Sequence, residues 1–219
     1  MSPIRGRPES RSETRPQNRR RALIGAALRE ISDRGSLDVT VAQIAARAGV
    51  STALAHHYFG AKEDLILATM RHLLAEFAAG AVAEQRRAAG PRARLSAIVR
   101  ASFAPEQFHR ATISAWLTFY AKALSAPGAA RLLSVYQRRL RSNLVHDLRA
   151  YLSRPEAGRV ADGVGALIDG LYLREALLGR PTSPRAAIAL VEDFVDLQLA
   201  AATRAQPGAP PRTSERRPA

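Results

Sequence analysis

The sequence predicts an all-α protein, with a three-helix N-terminal head followed by a longer C-terminal helical domain. Hydrophobic residues make up 47% of the chain but aromatic ones only 5%, and with alanine abundant this favours helices over sheets built from β-branched and aromatic residues. Apolar residues also recur at helical spacing within segments bounded by Gly and Pro. At 219 residues and 23.7 kDa the chain fits one large domain or two small ones and is long enough to bury a core. No repeat of solenoid length is visible.

The first helix is expected from about Pro16, a favoured first-turn residue, through Leu23, Ile24, Ala27, Leu28 and Ile31 to a stop at Gly35. Thr40-Val41-Ala42-Gln43 has the capping-box form and opens a short helix that turns Val41, Ile44, Ala45 and Ala48 inward and ends at Gly49. Ser51 is placed to cap a second short helix carrying Leu54, His57 and Tyr58, which Gly60 ends. Two short helices joined by a Gly-containing turn make a helix-turn-helix. A longer helix follows from Lys62 to about Arg87, built on Leu65, Ile66, Thr69, Leu73, Leu74 and Phe77. Further helices are expected near 91–103, 106–125, 128–153, 157–179 and 184–204, with Pro105, Pro127, Pro155, Pro181 and Pro184 at the breaks. The expected organisation is a disordered basic arm over 1–17, a helix-turn-helix domain over 18–64, a helical effector-binding and dimerisation domain over 65–204, and a disordered basic tail over 205–219.

The formal net charge is +14. Residues 1–22 hold seven Arg and two Glu, and residues 203–219 hold four Arg and one Glu, so the two ends carry +8 of it. Basic ends suit a polyanion, nucleic acid first and an anionic membrane surface second. Residues 23–65 hold four basic and five acidic residues. The helix-turn-helix is therefore close to neutral, and Arg19, Arg20 and Arg21 must supply much of the attraction to phosphate. If Leu54 and Phe59 anchor the core, then Thr52, Ala53, His56 and His57 face solvent, where a short helix entering the major groove presents side chains to base edges.

The chain has no cysteine, which removes disulfides, thiolate metal sites and cysteine nucleophiles and permits a reducing cytoplasm. Charged residues interrupt every candidate stretch of eighteen apolar residues, so no membrane span or membrane partner is expected. The chain has no phosphate-binding loop, no H-E-x-x-H and no G-x-S-x-G, and His72, His109 and His146 are scattered. Neither an enzyme nor a metal or other cofactor site is expected.

The run AARAGVSTALAHHYFGAKEDLI, inside a three-helix head followed by further helices, resembles the TetR family of one-component bacterial regulators. ATMRHLLAEF, AWLTFYAKAL, RRLRSNL and ALIDGLYLREALLG look like the choline-responsive BetI branch of that family. The resemblance covers roughly residues 18–200. It implies that Thr52, Ala53 and His56 match positions that reach bases, and that Thr40, His57, Tyr58 and Lys62 match positions that grip phosphates. His56 stands where a Tyr is common, and Leu54 where many members have Thr.

Six of the twelve aromatic residues fall between 103 and 136: Phe103, Phe108, Trp116, Phe119, Tyr120 and Tyr136. Trp116 and Tyr120, four apart, share a helical face. Such a stripe describes either a filled core or a cage for a quaternary ammonium group. Asp169 interrupts the otherwise uncharged run 163–173 and shares a face with Tyr172. A carboxylate buried there needs a cation or good hydrogen bonds; an Arg partner or a dimer seam would satisfy it equally. The candidate effector residues are thus Phe103, Trp116, Phe119, Tyr120, Tyr136, Asp169 and Tyr172. The last two helices carry broad apolar faces, with Val160, Val164, Leu167, Ile168 and Leu171 on one and Ile188, Val191, Phe194, Val195 and Leu199 on the other. The resemblance implies a homodimer through these helices, binding double-stranded operator DNA as a repressor. It also implies a small effector, choline or a related quaternary ammonium compound, and control of glycine betaine synthesis. The alternative is a TetR-like regulator of a different apolar or cationic ligand, either a drug or a metabolite.

Overall fold

The computed structural model describes residues 14–108, 110–178 and 183–205, and among them every regular element is an α-helix. The chain divides into two compact units, the first ending at His72 and the second beginning at Leu73. The compact head thus extends eight residues beyond the expected boundary at 64, because the first turns of the fourth helix bury Leu65, Ile66, Ala68 and Met70.

In the first unit α1 spans Thr14–Arg34, α2 Val41–Arg47 and α3 Thr52–Phe59, and α4 (Lys62–Arg87) begins there. α1 buries Leu23, Ile24, Ala26, Ala27 and Ile31, one face of a helix. It starts two residues before Pro16, so residues 14–17, expected in the disordered arm, are helical. Proline is compatible with a first turn because the amide it lacks has no intrahelical acceptor there. Residues 1–13 of the expected arm lie outside the described residues, as do His109, Pro181 and the tail beyond 205.

The capping box forms: Gln43 N donates to Thr40 Oγ1 at 3.2 Å and Thr40 N to Gln43 Oε1 at 2.9 Å. At the other end of α2, Val50 N reaches Ala45 O and Gly49 N reaches Ala46 O, a Schellman closure with Gly49 at φ +68°. Ser51 Oγ accepts from Leu54 N at 3.2 Å and starts α3. Ala55 and Phe59 are the buried residues of α3. Leu54, expected as an anchor, is only half-buried, since Ala55 rather than Leu54 shares an i, i+4 face with Phe59. Arg47 at the end of α2 bonds Glu30 and Asp33 of α1, both at 2.7 Å, and Arg34 adds a bond to Glu30 at 3.3 Å.

In the second unit α5 spans Pro91–Ser102, α6 Arg110–Ala123, α7 Pro127–Leu148, α8 Arg154–Leu178 and α9 Pro184–Ala205. Pro91, Pro127 and Pro184 open their helices, and Pro155 sits second in α8. α6 starts later than expected, because Gln107 N and Phe108 N both donate to Ala104 O at 2.8 Å and close a turn. α7 stops at Leu148 rather than 153, where Tyr151 N and Leu152 N both close on Leu148 O. α7 packs on α5, α6 and α8, and α8 on α6 and α9. A Cβ on Gly163 would lie 2.7 Å from Phe194 Cζ, so the absence of a side chain sets the approach of α8 and α9. Arg94 bonds the buried Asp147 at 2.6 Å, and Arg92 joins α5 to Glu192 and Asp196 of α9.

Charge interrupts the apolar stretch of α4 as expected, at Arg71 and Glu76, yet the helix remains strongly apolar. It contains an 18-residue window of mean hydropathy 1.4, so by length and composition alone it is sufficient to cross a membrane. Of that window 44% is buried inside the protein. Leu65, Ile66, Met70, Leu73 and Phe77 are core residues, which accounts for the apolarity by packing.

Candidate functional site

In the first unit α3 presents Thr52, Ala53, His56 and His57 to solvent, while Tyr58 and Lys62 are half-buried. Thr52 and Ala53 lie four and three residues before His56, so each neighbours it on the surface of the helix. His56 Nδ1 lies 2.7 Å from Gly60 O, tying the ring to the end of its own helix. The rings of His57 and Tyr58 meet edge-to-face at 5.7 Å. Thr40 is exposed, and because its oxygen accepts from Gln43 N, its hydroxyl hydrogen remains to donate. Lys62 opens α4 ahead of Glu63 and Asp64.

Arg19, Arg20 and Arg21 are exposed on α1. Arg20 Cζ lies 5.0 Å from the centroid of the Phe59 ring, a cation–π contact between α1 and the end of α3 that the sequence reading did not foresee. Arg34 and Arg47 are engaged with Glu30 and Asp33. Two of the four cations of the helix-turn-helix region are thereby neutralised inside the head, and the arginines of α1 matter more for an anionic partner.

The second unit gathers most of the predicted aromatic residues into two groups. Phe103, Phe108 and Tyr172 have centroids 5.1–6.0 Å apart, within the range of favourable ring contacts. Phe77, Tyr136, Trp116 and Tyr120 form a chain of rings at 5.4, 5.2 and 5.9 Å. Phe119 is fully buried and belongs to neither group. Tyr120 Oη donates to Asp169 Oδ1 at 2.9 Å, and Tyr172 Oη donates to Ser102 O. Among the described residues, then, the partner of Asp169 is a tyrosine and not an Arg.

Burial pushes the Asp169 carboxyl above its ordinary value, against the opposing pull of the Tyr120 hydrogen bond. Burial also raises Tyr120, Tyr136 and Tyr172, and the charge of Asp169 raises each further. The carboxylate is thus close to three phenols that remain neutral. The Trp116 indole N–H is buried with no acceptor among the described residues. An anionic oxygen, several ring faces and a spare donor together suit an organic cation that also carries an oxygen. The composition of the run around Asp169 signalled the carboxylate; the orphaned indole N–H had no sequence signal, because it depends on which neighbours pack on the ring.

The sequence pattern of the bacterial regulatory proteins of the tetR family matches residues 23–69, and that of the C-terminal part of BetI-type transcriptional repressors matches residues 91–200. The HTH-type transcriptional regulator BetI of Brucella anthropi is 56% identical over 181 residues, covering 83% of this chain and 93% of that protein. The chain belongs to the TetR family, in its BetI-type branch. The BetI regulator of Rhizobium meliloti is 51% identical, over 84% of this chain and 90% of its own length. Among solved structures, a transcriptional regulator from Pseudomonas aeruginosa has a TM-score of 0.75 at 29% identity, covering 89% of this chain and 99% of that one. A regulator from Saccharomonospora viridis in complex with choline has a TM-score of 0.73 at 26% identity, covering 85% and 97%. As a BetI-type TetR protein the chain is a DNA-binding transcriptional repressor and not an enzyme.

Proposed function

We propose that the chain is a dimeric repressor released from its operator by choline or a closely related quaternary ammonium compound, and that it controls genes of glycine betaine synthesis in the cytoplasm. The observation that carries the effector is Asp169: a carboxylate raised by burial and held by the hydroxyl of Tyr120, whose ring adjoins Trp116 and through it Tyr136. Its charge would balance the cation, the faces of Trp116, Tyr120 and Tyr136 would cover the methyl groups, and Tyr172 would close the site beside Phe103. Trp116 Nε1–H would donate to the effector's oxygen. Phe119 would support this wall from the core. The choline complex of the Saccharomonospora viridis regulator supports the same class of ligand.

On the DNA side, Thr52, Ala53 and His56 would read bases, with Thr40, His57, Tyr58, Lys62 and the arginines 19–21 on phosphates. The dimer draws support from leucines that the sequence reading passed over. Leu173, Leu177 and Leu178 on α8 and Leu190 and Leu197 on α9 are exposed, Leu177 by 71% and Leu197 by 63%. Paired across a two-fold axis, two such helices from each copy would bury them and set two heads on successive half-sites. The effector acts by preferring a state that fits the operator less well, so operator and effector weaken each other by one common factor.

Footprinting on the DNA flanking the chain's own gene, with and without choline, tests the proposal. A short protected palindrome lost on adding choline is the expected result. Release by a lipophilic cation or an uncharged drug, but not by saturating choline, would replace the effector. Protection without sequence preference would remove the operator reading.

A further inference from the structure

We propose that His56 reads the operator as a hydrogen-bond acceptor of fixed tautomer, its Nδ1–H held by the Gly60 carbonyl and its Nε2 lone pair offered to the exocyclic amine of an adenine or a cytosine. The inference rests on the reading of α3 as the helix that enters the groove, and it adds the polarity of one contact to that reading.

Nδ1 lies 2.7 Å from Gly60 O. A carbonyl oxygen only accepts, so the hydrogen of this bond is on Nδ1. In the neutral ring, which carries a single N–H, Nε2 is then left as a bare acceptor. The backbone reinforces the arrangement, because Gly60 N donates to His56 O, also at 2.7 Å. Residues 56 and 60 are therefore bonded twice, once through backbone alone and once through the ring. Gly60 adopts φ +71°, a conformation that favours glycine and turns its carbonyl back to the ring. His56 as a residue is exposed.

The neighbours on this face leave the polarity to His56. Ala53 has no polar side-chain atom, and the Thr52 hydroxyl both donates and accepts. Adenine N6 and cytosine N4 are the donors of the major groove; guanine O6 and N7 and thymine O4 are acceptors. On the strand that Nε2 approaches, adenine or cytosine completes a hydrogen bond, whereas guanine or thymine sets lone pair against lone pair. A tyrosine at this position would end in a hydroxyl able to take either role, so the histidine narrows the choice.

Two measurements on the full chain test this. Nitrogen-15 spectra of histidine-labelled protein, with His56→Ala identifying the signals, are expected to show Nδ1 protonated and Nε2 bare, free and on DNA. A hydrogen on Nε2 in either state, whether as the other tautomer or as imidazolium, overturns the proposal. The second measurement varies each operator position and compares wild type with His56→Ala. The position whose preference the substitution flattens should carry adenine or cytosine. Replacing that base by purine or pyrimidin-2-one, which removes only the amine, should weaken wild-type binding roughly tenfold and leave His56→Ala unchanged. His56→Lys, a pure donor, should move the preference to guanine or thymine. A flattened position that carries guanine and responds to loss of N7 overturns the proposal. If a footprint exists and His56→Ala alters no preference, the operator reading stands and this one falls. A chain with no footprint loses both.

Discussion

Asp169 connects the cost of a buried charge to its use. A carboxyl raised on folding stabilises the fold below its unfolded value, near 3.8, and that contribution is lost as pH rises through the folded value. Above that window the folded state bears the cost of desolvating the carboxylate, which the unfolded chain does not. Asp169→Asn keeps an oxygen to accept from Tyr120 and removes the charge. The effector-free variant should therefore melt higher than wild type at pH 7, by about a few °C, with the difference closing as pH falls below 3.8. Calorimetry across that range checks it; equal melting temperatures at pH 7 would show that the charge carries no penalty. The same variant should lose the thermal stabilisation that choline gives wild type. Asp169 was legible in the sequence because one carboxylate broke an uncharged helical run. Phe119, grouped with the cage by proximity in sequence, is buried like Phe103 and Trp116 but stands in neither group of ring contacts, a distinction only packing reveals.

At the level of elements, what could be read ahead of the structure was chemistry local to a few residues. Thr40 and Gln43 satisfy each other's backbone amides, Ser51 caps α3, and prolines sit in the first turns of α5, α7, α8 and α9. Each acts within one turn, so spacing alone identifies it. The misplaced ends lie where backbone closure competes with apolar periodicity: the turn over 104–108 and the stop at Leu148 both follow amphipathic stretches that pattern alone extends. Leu54 and Ala55 exchanged roles for a related reason, since an eight-residue helix tilts by its contacts and not by the hydrophobicity of one side chain. The cap carries a testable energy. Thr40→Ala should destabilise the chain by about 1 kcal/mol in urea denaturation while Thr40→Ser retains most of the stability, because both hydroxyls accept from Gln43 N. Equal losses in the two variants would assign the effect to the threonine methyl instead of the cap.

For the whole molecule the issue is where its charge of +14 does its work. Residues 1–22 carry +5 of it, and within them Arg19, Arg20 and Arg21 stand on α1, inside the helix expected from about Pro16, while Arg34 and Arg47 are consumed by Glu30 and Asp33. Residues 1–13, with three Arg and two Glu, contribute only +1. Attraction to the operator should therefore come from a helical surface whose cations are held in place. Each phosphate neutralised contributes roughly 0.9 to the slope of log affinity against log salt. Arg19→Gln with Arg21→Gln, sparing Arg20 for its contact with Phe59, should flatten the slope by about two for each head without changing the preferred bases. Deleting residues 2–13 should change it by less than about one. Binding titrations over a range of salt separate the two: if the deletion flattens the slope more than the paired substitution does, the residues ahead of α1 carry the attraction and the helical arginines do not.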